Sequence, residues 1–218
     1  MADVPRTRPR RAYHHGDLRR ALLREAARAI RADGPAGVTL RDVGRRLGVS
    51  RTALYRHFSD KGALLAAVAR EGFQTFSREL KDAWNEAGGG ITGFRAMGAA
   101  YVRFAIANPA HYRIMFGRFL DLCESDTALA TEASASFTVL TDAIGSLQRA
   151  GAIRADDTEQ LARFIWAAVH GVAMLAIDGQ LGPDRAAAEA LTAFTIERLS
   201  TGISTASRPP SGGRRSSG

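Results

Sequence analysis

The chain reads as an all-α protein, with a small N-terminal helix-turn-helix unit followed by a larger helical body. Apolar residues recur at three- and four-residue spacing along most of its 218 residues, and no run of alternating β-branched residues is long enough for a strand. Aromatic residues make up 7% while alanine is abundant, a balance that favours helix. Gly, Pro and Asp interrupt the periodic pattern at helix-length intervals. A hydrophobic content of 45% is enough to build a sizeable core.

Taken in order, residues 1–12 are rich in Pro and Arg and read as a disordered basic arm. Residues 13–60 form the expected helix-turn-helix domain, 61–204 the body, and 205–218 a low-complexity disordered tail. The first helix is expected to be capped by Asp17 and to reach Ala32, stopped by Asp33-Gly34-Pro35; its buried stripe is Leu18, Leu22, Leu23, Ala26 and Ile30. Thr39, with Asp42 three residues on, caps a second helix that buries Leu40, Val43 and Leu47. Gly48 ends it. Ser50 caps a third helix from Arg51 to Phe58, and Ser59 or Asp60 caps a fourth through Ala87, before the break at Gly88-Gly89-Gly90. Further helices are expected over 92–107, stopped at Asn108-Pro109, and over 110–119, 127–150 and 157–177, the last opened by Asp157 with Gln160. A final one starts at Pro183-Asp184 and runs to Leu199.

The net charge is +8, and its placement says more than its size. Residues 1–61 hold 15 Arg and Lys against 6 Asp and Glu, whereas residues 62–207 hold 12 against 16. A basic segment on a mildly acidic body suggests a polyanion-binding module attached to a part with another task. The single cysteine, Cys123, excludes a disulfide within the chain or a Cys-based zinc site, and its neighbours Asp121 and Glu124 do not favour a thiolate. His14-His15 has no second cluster at ligand spacing, so no metal site and no cofactor is expected. The N-terminus lacks the apolar stretch of a signal peptide. The longest apolar run, Phe164 to Ile177, is shorter than the roughly 20 residues of a bilayer span. The expectation is a soluble cytoplasmic protein with no membrane partner.

Residues 38–58 read VTLRDVGRRLGVSRTALYRHF, two short helices around Gly48-Val49-Ser50. Gly permits the reversal, and Val49 plugs the turn into the core. On the third helix Leu54 and Phe58 point inward. Arg51 and Tyr55, and likewise Thr52 and Arg56, share the outward face. Donors, an aromatic ring and positive charge on one helix face suit a DNA major groove. Arg51 has the fork for paired bonds to guanine, and Thr52 suits a thymine methyl or a phosphate. Tyr55 and His57 are placed for phosphates, which fix register. Lys61, at the start of the fourth helix, adds charge to exposed amides, and Thr39, Arg41 and Ser50 stand at comparable helix starts.

The stretch TLRDVGRRLGVSRTALYRHFSDKGALL closely resembles the DNA-binding signature of the TetR family of bacterial regulators, and the resemblance extends from about Tyr13 to Arg70. Gly44 stands where that family usually has Ala, and Gly62 where Glu is common. In the second half, Asn108-Pro109-Ala110-His111-Tyr112, Met115-Phe116-Gly117, Trp166 and His170-Gly171 resemble the Trp-His-Gly type of C-terminal domain within that family. The resemblance implies a homodimer of subunits with about nine helices, joined through the last two helices of each. It also implies a cavity for a small-molecule inducer and repression from a palindromic DNA operator.

In the body, Met97, Tyr101 and Phe104 share one helix face, and Trp166, His170 and Met174 share another; His111 and Met115 lie on the short helix between. These eight are the candidate ligand-binding residues. Such stripes serve a plain core as readily as a pocket. Two other classes stay open: an all-helical enzyme, for which the chain shows no nucleophile elbow, phosphate loop or metal-ligand set, and an architectural DNA binder indifferent to ligand.

Overall fold

A computed structural model describes residues 15–117, 126–182 and 185–205. Among them the order is α1 (His15–Gly37), α2 (Leu40–Arg46), α3 (Arg51–Tyr55), α4 (Lys61–Glu86), α5 (Gly90–Ala107), α6 (Pro109–Met115), α7 (Thr127–Arg149), α8 (Thr158–Ile177) and α9 (Arg185–Ile203). The basic arm, His14, Phe119, Cys123, the Pro183-Asp184 helix start and residues 206–218 of the tail lie outside the described residues. No strand occurs among the described residues, and the all-α fold class holds. A lone antiparallel bridge, Ile153 to Ser204, closes the end of α9.

Several boundaries differ from the expectation, among them the end of α6, which falls at Met115 rather than 119. Helix α1 already includes Asp17, so this residue does not cap it: a cap needs non-helical backbone, and the helix starts at His15. Its regular part breaks at Gly34 (φ 70°, ψ 166°), and Pro35 then opens one more turn to Gly37. Proline is tolerated there because the first turn lacks amide partners anyway. Helix α3 stops at Tyr55 rather than Phe58. The amides of His57 and Phe58 both turn back to the Leu54 carbonyl, at 3.0 and 3.2 Å, which tightens the chain before Asp60 caps α4. Helix α9 continues past Leu199 to Ile203, where the Ile203 carbonyl accepts from the Arg154 amide at 3.1 Å.

The caps read from the sequence are in place. The Thr39, Ser50, Asp60 and Asp157 side chains accept from the amides of Asp42, Ala53, Ala63 and Gln160. The predicted stripe of α1 is buried throughout and packs with Val43, Leu54 and Phe58. Glu25 is buried beside this core, paired with Arg28 and, at 3.7 Å, with Arg46. The chain reverses between α2 and α3 at Gly48, whose φ of 66° strains any residue with a Cβ.

Helix α4 ties the molecule together. It packs on α1 at the head and on α5, α6 and α7 in the body, while α5 also packs on α8 and α9. Apolar contacts run without a break from Leu22 in α1 to Leu199 in α9. Helix α8 is, among the described residues, the one helix with the length and hydropathy of a membrane span, and it packs against α5, α7 and α9.

Candidate functional site: a nucleic-acid interface and an apolar cavity

The first site is the outer surface of α2 and α3. Arg41, Arg51, Thr52, Tyr55 and Arg56 are exposed there, Tyr55 at 46%. The Arg51 guanidinium lies over the Tyr55 ring, 5.5 Å from its centre. This stacking aims both groups from one face, as expected of residues four apart on a helix. Arg41 and Arg45 of α2 line one notch with Arg51 and Tyr55 of α3. Arg45 was not among the sequence-derived candidates; its spacing of four from Arg41 carries the signal.

Several candidates on this surface also hold the head together. Thr39 Oγ1 accepts from the Asp42 amide at 3.1 Å and donates to the Asp42 carboxylate at 2.7 Å. That hydroxyl, helped by Arg45, Arg46 and Arg41, holds the Asp42 carboxyl below the ordinary carboxylate range. Ser50 Oγ accepts from Ala53 at 3.2 Å. Lys61 Nζ donates to the Ala36 carbonyl at 2.8 Å, pinning the turn between α1 and α2 to the start of α4. His57 is half-buried at the end of the α3 turn.

The second site is a cavity of about 300 Å³ inside the body. Its wall is largely aromatic: Phe73 and Phe76 from α4, Phe94 and Tyr101 from α5, Phe116 after α6, Phe137 from α7 and Trp166 from α8. Leu80, Met97, Gly98, Met115, Ala133 and Leu140 fill spaces between the rings, and Ile196 and Leu199 of α9 close one side. Glu159 and Arg163, one turn apart on α8, are its charged members and pair with each other.

Of the eight sequence-derived ligand candidates, Met97, Tyr101, Met115 and Trp166 line this cavity. Phe104 does not; it is fully buried with its ring 5.1 Å from that of Phe76. Met174 is half-buried against the core and away from the cavity wall. His111 is half-buried, also away from the wall. Burial holds its pKa below the ordinary imidazole value, with Glu71 pulling up and Arg31 pushing down.

His170 stands behind the wall. Its Nδ1 lies 2.6 Å from Tyr112 Oη and 3.1 Å from Tyr101 Oη; the two phenols are 2.9 Å apart, and Trp166 Nε1 donates to Tyr101 Oη at 2.9 Å. Burial keeps the His170 pKa low and both phenol pKa values high, so all four groups are neutral near pH 7. The network orients Tyr101 and Trp166 on the cavity wall, with His170 and Tyr112 as their supports. Phe73, Phe76 and Leu80 on α4 and Ile196 and Leu199 on α9 were not foreseen, because helical periodicity shows that a face is buried and not which void it borders.

A three-helix head with a helix-turn-helix, carried on a helical body that encloses an apolar cavity, defines a class of regulator architecture. Residues 22–68 match the family model for bacterial regulatory proteins of the tetR family, and residues 94–199 match the model for the Tetracyclin repressor-like C-terminal domain. The chain belongs to the TetR family. The head is 45% identical over 51 residues to the class C tetracycline repressor protein of Escherichia coli; that match spans 23% of this chain and 23% of the relative's length. Over the whole fold, the chain resembles a Rhodococcus sp. RHA1 protein of unknown function (31% identity, TM-score 0.79, 89% of this chain and all of that one). It also resembles a tetR-family regulatory protein from Rhodococcus RHA1 (20% identity, TM-score 0.68, 85% and 96% covered).

Proposed function

We propose that the protein is a transcriptional repressor that binds a palindromic operator as a homodimer and is released by a small molecule entering the body cavity. The observation that carries this reading is that one continuous helix, α4, borders both the cationic head and the aromatic cavity. Phe73 and Phe76 reach the cavity from the same helix whose Lys61 holds the turn of the head. The proposed division at residue 60 therefore falls at the cap of α4.

Dimerisation draws support from α8 and α9. Phe164, Leu175 and Phe194 stand 59%, 37% and 57% exposed on them, with exposed Gly171 and Ala190 permitting close helix approach. A symmetric dimer would present two copies of α3 about one DNA turn, or a multiple of it, apart. Trp166, His170 and Gly171 are assigned to the Trp-His-Gly type of body, and the cytoplasm is the setting this reading requires.

On DNA, Arg51 reads a base edge, and Thr52, Tyr55, Arg56, His57 and Arg41 set register on phosphates. Lys61 spends one of its three donors on Ala36 and keeps two for a phosphate. Thr39 and Ser50 expose helix-start amides beside them. Ligand shifts the equilibrium only by preferring the dimer with altered spacing.

The test is a gel shift and footprint on DNA flanking the protein's own gene, followed by genome-wide site selection, with wild type compared to Tyr55→Ala as salt is varied. A protected palindrome that the variant loses is the expected result. Absence of any preferred site in both experiments would refute the reading.

A further inference from the structure

The cavity wall has an unusual economy of polar groups. Ser136 donates its hydroxyl to the Ala133 carbonyl at 2.7 Å, Trp166 Nε1 is bound to Tyr101 Oη, Tyr101 Oη is bound to Tyr112 and His170, and Glu159 is paired with Arg163. Every polar side chain that lines the cavity already has a partner within the chain. A carboxylate drawn into the cavity would face the electron-rich faces of aromatic rings without a counter-charge, which is costly in an apolar site; the Glu159–Arg163 pair, with side chains 63% and 62% exposed, stands at the solvent edge. A ligand held by shape and apolar contact meets no such penalty.

Met97 is the one residue that lines both this cavity and a groove between α4 and α7 bordered by Lys81, Trp84 and Asp142. It is 3% exposed and separates the apolar cavity from a groove that is more polar and more open. An unbranched thioether with three rotatable bonds makes a compliant partition.

We propose that the cavity takes a predominantly apolar ligand without an anionic group and that Met97 sets the length of ligand it accepts. This rests on the reading of the body as a ligand-binding domain; it concerns ligand chemistry and is tested without DNA.

The experiment uses the full chain carrying Trp84→Phe, which leaves Trp166 as its one tryptophan. The uncharged dye N-phenyl-1-naphthylamine is titrated, and energy transfer from Trp166 reports occupancy of this cavity. The dye is then displaced by straight-chain alcohols and carboxylates of matched length. Alcohols are expected to displace it at least tenfold more tightly than carboxylates. Their affinity is expected to rise with length and then stop rising at a cut-off. Met97→Ala moves that cut-off to longer chains and Met97→Phe to shorter ones. Met97→Leu, close in volume but shorter in reach, gives the same direction as alanine if the alanine variant does not fold. A carboxylate that binds as well as the alcohol, a cut-off that no variant moves, or no energy transfer to bound dye would overturn the proposal. A gel shift on the selected operator is run in parallel. Loss of operator binding with the alcohol preference intact would strike the regulator reading, and the reverse would strike the ligand assignment.

Discussion

In the head, charged and aromatic side chains point outward from two short helices; in the body, most aromatic side chains of α4 to α8 turn inward, with Phe164 an exception. The head exposes Arg51 and Tyr55 on a five-residue helix anchored by one buried leucine, Leu54. The body buries Phe76, Tyr101 and Tyr112 and fastens the hydroxyls of the two tyrosines to each other and to His170. A binding surface for a polyanion needs unsatisfied donors held in register, whereas a pocket for an apolar molecule needs satisfied walls and a void. One chain meets both demands because helix caps position the first and side-chain packing shapes the second.

The comparison can be broken from either side. The Phe76 ring centre lies 5.0, 5.1 and 6.2 Å from the ring centres of Tyr101, Phe104 and Phe116. Phe76→Ala is expected to cost about 3–5 kcal/mol of stability and to enlarge the cavity, while the folded fraction keeps its operator affinity. Chemical denaturation alongside a gel shift checks this, and a matching loss of affinity per folded molecule would show that head and body are not separable. Arg51→Ala acts in the opposite sense. It should weaken operator binding by about 1–3 kcal/mol at the base it reads, relax specificity there and leave the melting curve in place. Equal losses on operator and random DNA would reduce Arg51 to a phosphate contact.

Two smaller changes sharpen the picture within the head. Thr39→Ala removes the cap of α2 together with the hydroxyl bound to Asp42, and should lower stability by about 1 kcal/mol in a thermal melt. Gly44→Ala introduces a methyl 3.1 Å from Leu54 Cδ2, the end of a flexible side chain that can yield. Its gain in helix propensity, at most about 1 kcal/mol, should raise the melting temperature slightly. A fall would mean that the glycine is needed for close packing of α2 on α3.

The two regions also differ in how far their sequences disclose them. The head was legible almost residue by residue, since Thr39, Ser50 and Asp60 act on amides three residues away and Gly48 on its own backbone. Its misreadings were local as well: the helix continues through Asp17, and α3 ends at Tyr55. In the body the helices and their buried faces were legible, but the cavity was not. Phe76 and Ile196 lie 120 residues apart and meet only across the void, a relation that no periodicity encodes. His170 shows the same limit from another angle. Its position four residues after Trp166 places both on one face, yet only the folded arrangement shows one lining the cavity and the other bracing it from behind.

The brevity of α3 has a consequence for descent with modification. A helix whose fold depends on one capping serine and one buried leucine leaves its outward positions almost free of structural duty. Substitutions at 51, 52, 55 and 56 can then accumulate without unfolding the head. Gene copies of such a protein can diverge in the DNA they recognise sooner than in the shape that recognises it.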